Sequence, residues 1–260
     1  MKRSWNPIRT GETRAARPQP YLLRARVALT AGLAATLFLL GGCGGDEEAV
    51  RTPSAAEEIA RVEAKTAGSD PSATTNDLPV IVFLGTSLTA GYGLEESQAY
   101  PALIENHLAS EGLDYRVINA GVSGDTSAGG LRRLPWLLRM PVAVLVLELG
   151  ANDMLRGLEI EQLRTNLENI LDQTREAHPS VKFVISGMRA APNLGREYAE
   201  KFDSVYPRLA EKYGAPLVPF LLEDVAARRN LNQADGIHPT AEGHALIAER
   251  VWETLAPVLR

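Results

Sequence analysis

The chain has 260 residues, 45% hydrophobic and 23% charged, with 27 basic against 32 acidic side chains and a single cysteine. That balance excludes a wholly disordered chain and a basic nucleic-acid binder. Seven of the basic residues, Lys2, Arg3, Arg9, Arg14, Arg17, Arg24 and Arg26, precede residue 27 with only Glu12 against them. From residue 43 onward 20 basic residues face 31 acidic ones, a formal charge of −11, which argues against electrostatic capture of phosphate backbones or anionic lipid by that portion.

Residues 27–40 (VALTAGLAATLFLL) carry no charge and are followed by Gly41, Gly42 and Cys43. A membrane-spanning helix needs roughly 20 apolar residues and a secretory core about 7 to 15, so residues 1–42 read as a signal peptide. The sequence Leu40-Gly41-Gly42-Cys43 resembles a bacterial lipobox, which implies acylation at Cys43 and a membrane-tethered exported protein. With no second cysteine, no intrachain disulfide is expected even in an oxidising compartment. Residues 43–78, rich in Gly, Ser, Thr, Pro and Glu, read as a flexible tether with a reach of roughly 30 to 35 Å.

From Pro79 the pattern changes. Short β-branched runs at residues 80–84, 115–119, 142–149, 182–186 and 216–220 predict five strands. Amphipathic stretches near residues 100–110, 131–139, 160–178, 198–213 and 240–259 predict the helices between and after them. The run VAVLVLEL is apolar on both faces, as a central parallel strand must be. The alternation predicts one α/β domain over residues 79–260, a three-layer α/β/α sandwich. Working groups in such sheets collect beyond the carboxyl ends of the strands.

Four predicted loops at that edge carry reactive groups. Ser87 follows the first strand; Gly124 lies in the loop after the second; Asn152 and Asp153 follow the third; Asp235 and His238 stand three apart before the last helix. A serine hydroxyl becomes a nucleophile when a base takes its proton and a third group holds that base in one tautomer. Asp235 and His238 have the spacing for the second pairing, while a backbone N–H at Gly124 and the amide of Asn152 can receive developing negative charge. Singly, each has a plain reading: Ser87 or Asn152-Asp153 as helix caps, Gly124 as a turn residue. His107, His178 and His244 fall within or at the ends of helical patterns and read as structural. Tyr92, Leu94, Trp136, Met154, Leu155 and Leu158 flank the loops as candidate acyl contacts; Tyr92, Leu155 and Leu158 are the preferred substrate-binding set.

The segments GTSLTAGYG, SGDTSAGGLRRLP, LELGANDMLRG and DGIHP resemble, in order, the four sequence blocks of the SGNH, or GDSL, hydrolases, and most nearly the bacterial thioesterase I/lysophospholipase L1 group with its arylesterases. The resemblance implies a flavodoxin-like five-stranded parallel sheet. It also implies Ser87, Asp235 and His238 as the triad, with the Ser87 amide, Gly124 and Asn152 as the oxyanion hole. The implied reaction is acyl ester hydrolysis through an acyl-enzyme, on acyl esters or lysophospholipids; no cofactor, metal or nucleic-acid partner is expected, and the protein is expected to be a monomer. One departure is Thr86, where the family usually carries Asp; the expected consequence is altered loop rigidity rather than loss of activity. Two alternatives remain: O-deacetylation of envelope polysaccharide by the same residues, and a non-catalytic ligand-binding lipoprotein. The absence of Gly-x-x-x-x-Gly-Lys-Ser/Thr and of Gly-x-Ser-x-Gly argues against phosphate binding and the larger α/β-hydrolase fold.

Overall fold

The computed structural model describes residues 78–260. The expected signal peptide (residues 1–42), the acylation expected at Cys43 and all but the last residue of the expected tether (residues 43–78) lie outside the described residues. Among the described residues no helix is long and apolar enough to cross a membrane.

Five parallel strands form one sheet: β1 (Val80–Gly85), β2 (Arg116–Gly121), β3 (Val142–Glu148), β4 (Lys182–Ser186) and β5 (Leu217–Val218), in the order β2-β1-β3-β4-β5. This is the flavodoxin-like order, whose direction reverses between β1 and β3 and opens a crevice beyond their carboxyl ends. Every residue of β1 is buried, and six of the seven in β3, because helices cover both faces. Gly85 stands level with Gly121 of β2 and with Glu148 of β3, so the three strands deliver their loops to one edge at the same height. The fifth strand is shorter than the pattern at residues 216–220 suggested.

The longer helices are α2 (Tyr100–Ser110), α3 (Ser127–Leu137), α5 (Ile160–Ala177), α6 (Arg196–Asp203), α7 (Val205–Tyr213) and α8 (Ala241–Leu259). Two short ones, α1 (Ser87–Ala90) and α4 (Ala151–Leu155), follow β1 and β3. Helices α2 and α8 pack together on one side of the sheet, while α3 and α5 pack together on the other, where α7 lies against β4 and β5. In α5 the buried positions Leu163, Leu167, Ile170, Leu171 and Thr174 repeat at helical spacing and form its sheet-facing stripe. The single helix expected over residues 198–213 is two: Ser204 ends α6, and its amide bonds the Glu200 carbonyl. Phe202 and Tyr206 then meet edge to face across the break, 5.7 Å between ring centres. Their burial on either side of the break explains why the apolar pattern ran through it unbroken.

Candidate active site

The chain leaves β1 through Gly85 and Thr86 and turns at once into α1. Thr86, extended at φ −99°, caps that helix, its hydroxyl accepting from the Leu88 N–H. Ser87 is therefore the first helical residue and not the cap, which leaves its Oγ free to point out of the edge. The side chain is partly exposed.

Residues 231–240 bring a histidine to it. Asp235 folds the chain over its own side chain, Oδ1 accepting from the N–H groups of Ile237 (2.9 Å) and His238 (3.0 Å). Oδ2 then lies 2.6 Å from Nδ1 of His238. The other ring nitrogen, Nε2, lies 3.0 Å from Ser87 Oγ. The hydrogen bond from the His238 ring, followed by those from the His238 and Ile237 amides, holds the Asp235 carboxyl well below the usual carboxylate range. Asp235 is thus ionised and in position to fix the Nδ1–H tautomer, which leaves Nε2 as an acceptor toward Ser87.

The second and third loops stand opposite. Gly124 has φ +80°, a conformation side chains resist, and its carbonyl accepts from Arg156 at 2.7 Å. Asn152 in α4 donates through Nδ2 to the Asp125 carbonyl at 2.8 Å, which sets its amide beside the Gly124 loop. Arg133 ties that loop back to β1, with Nε 2.7 Å from Asp125 Oδ2 and a guanidinium NH₂ group 2.9 Å from the Gly85 carbonyl. The capping read into Asn152-Asp153 takes another form. Gly150 precedes α4 without a side-chain cap, while buried Asp153 receives the N–H (2.8 Å) and hydroxyl (2.5 Å) of Ser127 at the start of α3.

Beneath the serine turn lies a residue the sequence reasoning passed over. Glu148, the last residue of β3, is fully buried, and its carboxyl meets the N–H and hydroxyl groups of both Thr86 and Thr89. Burial pushes its carboxyl up to about 7 against the pull of those four donors. A glutamate closing an otherwise apolar strand was the one available signal.

The family model for the GDSL-like lipase/acylhydrolases matches residues 83–246, a span that holds all four loops. The chain belongs to that family. It is 44% identical over 180 residues to esterase TesA of Pseudomonas aeruginosa, covering 69% of this chain and 89% of that protein. It is 40% identical over 181 residues to the thioesterase 1/protease 1/lysophospholipase L1 of Escherichia coli, covering 69% and 84%. The crystal structure of TesA superposes with a TM-score of 0.66 at 44% identity, over 69% of this chain and 99% of that one. This acylhydrolase is accordingly a serine ester hydrolase, and a non-catalytic binding protein is set aside.

The three residues expected to contact substrate in this acylhydrolase, Tyr92, Leu155 and Leu158, are all exposed. The Tyr92 ring lies 4.5 Å from that of His238, and its carbonyl accepts from Gln233, which also bonds the Pro239 carbonyl. Leu94 is half-buried. Two other candidates lie elsewhere. Met154 is buried, its sulfur meeting the Ala191 N–H. Trp136 is nine residues along α3 from Ser127, roughly 14 Å down a helix that leads away from the catalytic edge. A cavity of about 1020 Å³ lined by Leu158, Arg164, Leu194 and Tyr198 includes neither Ser87 nor His238. His107 contacts Glu249, His178 bonds the Leu138 carbonyl, and buried His244 accepts from the Tyr100 N–H. Among the described residues no cluster of metal-ligating side chains occurs.

Proposed function

We propose that this acylhydrolase cleaves acyl esters, lysophospholipids among them, with Ser87 as nucleophile, His238 as general base and acid, and Asp235 orienting the imidazole. As Oγ attacks the carbonyl carbon its proton passes to Nε2, and the carbonyl oxygen takes the negative charge. The N–H groups of Ser87 and Gly124 and the Asn152 amide receive that charge. Collapse expels the alcohol, which leaves with the proton from His238. Water then attacks the acyl-serine with His238 again as base, releasing the acid and restoring Ser87.

The observation that carries this reading is the unbroken hydrogen-bonded chain Ser87–His238–Asp235. The exposed Tyr92, whose ring lies against His238, and the exposed Leu155 and Leu158 after Asn152 support an acyl or aryl group over a polar glycan. The lysophospholipase name of the Escherichia coli relative supports the lipid class. The apolar run ending at Cys43 supports export and lipid anchoring on the periplasmic side of a bacterial membrane, where the substrate would be a membrane-derived ester and not cytosolic acyl-CoA. The test is fluorophosphonate labelling with mapping of the modified peptide, followed by a panel of p-nitrophenyl esters of graded length and lysophosphatidylcholine. Labelling confined to Ser87, and rates that rise beyond acetyl, are expected. Activity retained by Ser87→Ala would end the reading, and turnover restricted to acetyl esters would favour the deacetylase alternative.

A further inference from the structure

The acyl-transfer steps leave without a task the fully buried carboxyl beneath the serine turn. Glu148 accepts from the Thr86 N–H at 2.8 Å, from the Thr86 hydroxyl at 3.0 Å on both oxygens, and from the Thr89 N–H and hydroxyl at 3.3 and 2.8 Å. Among the described residues no lysine or arginine forms an ion pair with it. The titratable groups of the surrounding helices that feel its charge are the Tyr100 hydroxyl of α2, 2.8 Å from Thr89 Oγ1, and Tyr206 of α7, which bonds the Leu149 carbonyl. Arg133 of α3 is occupied by Asp125 and the Gly85 carbonyl. Strand β1 has been shaped to admit the carboxyl: a Cβ on Gly85 would overlap Thr89 Oγ1 and come within 2.6 Å of Glu148 Oε2.

A buried acid is a poor way to gain stability, since well-packed apolar residues do as well or better. Its donors here are not scattered through the core. All four belong to Thr86 and Thr89, the residues that bracket Ser87 and Leu88. Helix α1 has only four residues, far below the length at which a helix holds its own shape, so the direction of Ser87 Oγ has to be imposed from outside. We propose that Glu148 is a positioning residue for the hydrolytic reaction: from the end of β3 it clamps Thr86 and Thr89, and so aims Ser87 Oγ at His238 and the oxyanion donors. The proposal rests on Ser87 being the nucleophile. Thr86 fits the clamp because its hydroxyl donates.

The test compares the full chain with its Glu148→Gln, Thr86→Val and Thr86→Ser variants, using a short p-nitrophenyl ester for kcat and KM and a fluorophosphonate for the labelling rate of Ser87. Thermal unfolding of each variant checks that it is folded at the assay temperature. Glu148→Gln and Thr86→Val should lower kcat at least tenfold with KM within twofold, labelling should slow by the same factor, and Thr86→Ser should return kcat to within threefold of the parent. Folded Glu148→Gln with kcat within twofold of the parent overturns the clamp, as does a Thr86→Ser that rescues nothing. Should Glu148→Gln fail to fold, Thr86→Val decides: kcat lost at constant KM supports the clamp, and unchanged kcat overturns it. Ser87→Ala separates the two ideas, since its retained activity would sink the nucleophile assignment, whereas a dead Ser87→Ala beside an unimpaired Glu148→Gln sinks only the clamp.

Discussion

Nε2 of His238 lies 3.0 Å from Oγ of Ser87 across 151 residues of chain, and the imidazole reaches it already held by Asp235 on its far side. A group acting as base in that position is worth far more than a hydrogen bond. Ser87→Ala and His238→Ala should each lower kcat by at least about 10⁴-fold, and Asp235→Asn by about 10³- to 10⁴-fold, in steady-state ester hydrolysis. A His238→Ala protein within tenfold of the parent would mean that another group removes the serine proton.

Asn152 meets the Gly124 loop with a side-chain amide, not a backbone donor, and can therefore be deleted alone. Asn152→Ala should lower kcat by about 10²- to 10³-fold, the usual cost of one oxyanion donor, with KM little changed. Equal losses in kcat and in thermal stability would instead assign Asn152 to holding the Asp125 carbonyl.

Two buried groups give stability opposite dependences on pH. Glu148, raised from 4.5 to about 7, contributes stability that is fully present below pH 4.5 and is lost as pH rises through 7. His244, lowered by burial from 6.5 to about 4, contributes stability that is fully present above pH 6.5 and is lost as pH falls through 4. Each amounts to about 3 kcal/mol at its limit. Relative to the parent, Glu148→Gln should therefore gain in Tm between pH 4.5 and 7.5, and His244→Gln should gain as pH falls from 6.5 to 4. Melting curves across that range that stay parallel for parent and variant would remove the group concerned from the account.

Thr86→Asp would set a second carboxyl about 3 Å from Glu148, where two like charges cannot both ionise. Its Tm should fall below that of the parent by a margin that widens from pH 5.5 to 8.5, while Thr86→Ser stays close to the parent at both. An unchanged Tm for Thr86→Asp at pH 8.5 would show that the Thr86 hydroxyl contributes nothing through Glu148.

Leu155 and Leu158, three and six residues after Asn152, are exposed, and neither carries the core. Leu155→Ser combined with Leu158→Ser should raise KM for an octanoyl ester about 3- to 10-fold and leave an acetyl ester within twofold, because only the longer chain reaches them. Equal effects on both esters would place the acyl chain elsewhere.

Most of the candidate site was legible from the order of the elements and the four motif blocks. Gly124, Asp235 and His238 sit in loops and Ser87 and Asn152 in the short helices that follow β1 and β3, connections whose positions follow from alternating strands and helices and which a parallel sheet delivers to one side. What local patterns could not convey was contact at long range. Glu148 reads as one more residue of a buried strand, and its role appears only once β3 stands beside β1 with Glu148 level with Gly85, which brings Thr86 and Thr89 into reach from about sixty residues away. The break at Ser204, the burial of Met154 and the remoteness of Trp136 were likewise decided by packing. Periodicity reports which side of an element is apolar; the neighbour met on that side is settled only when the layers close.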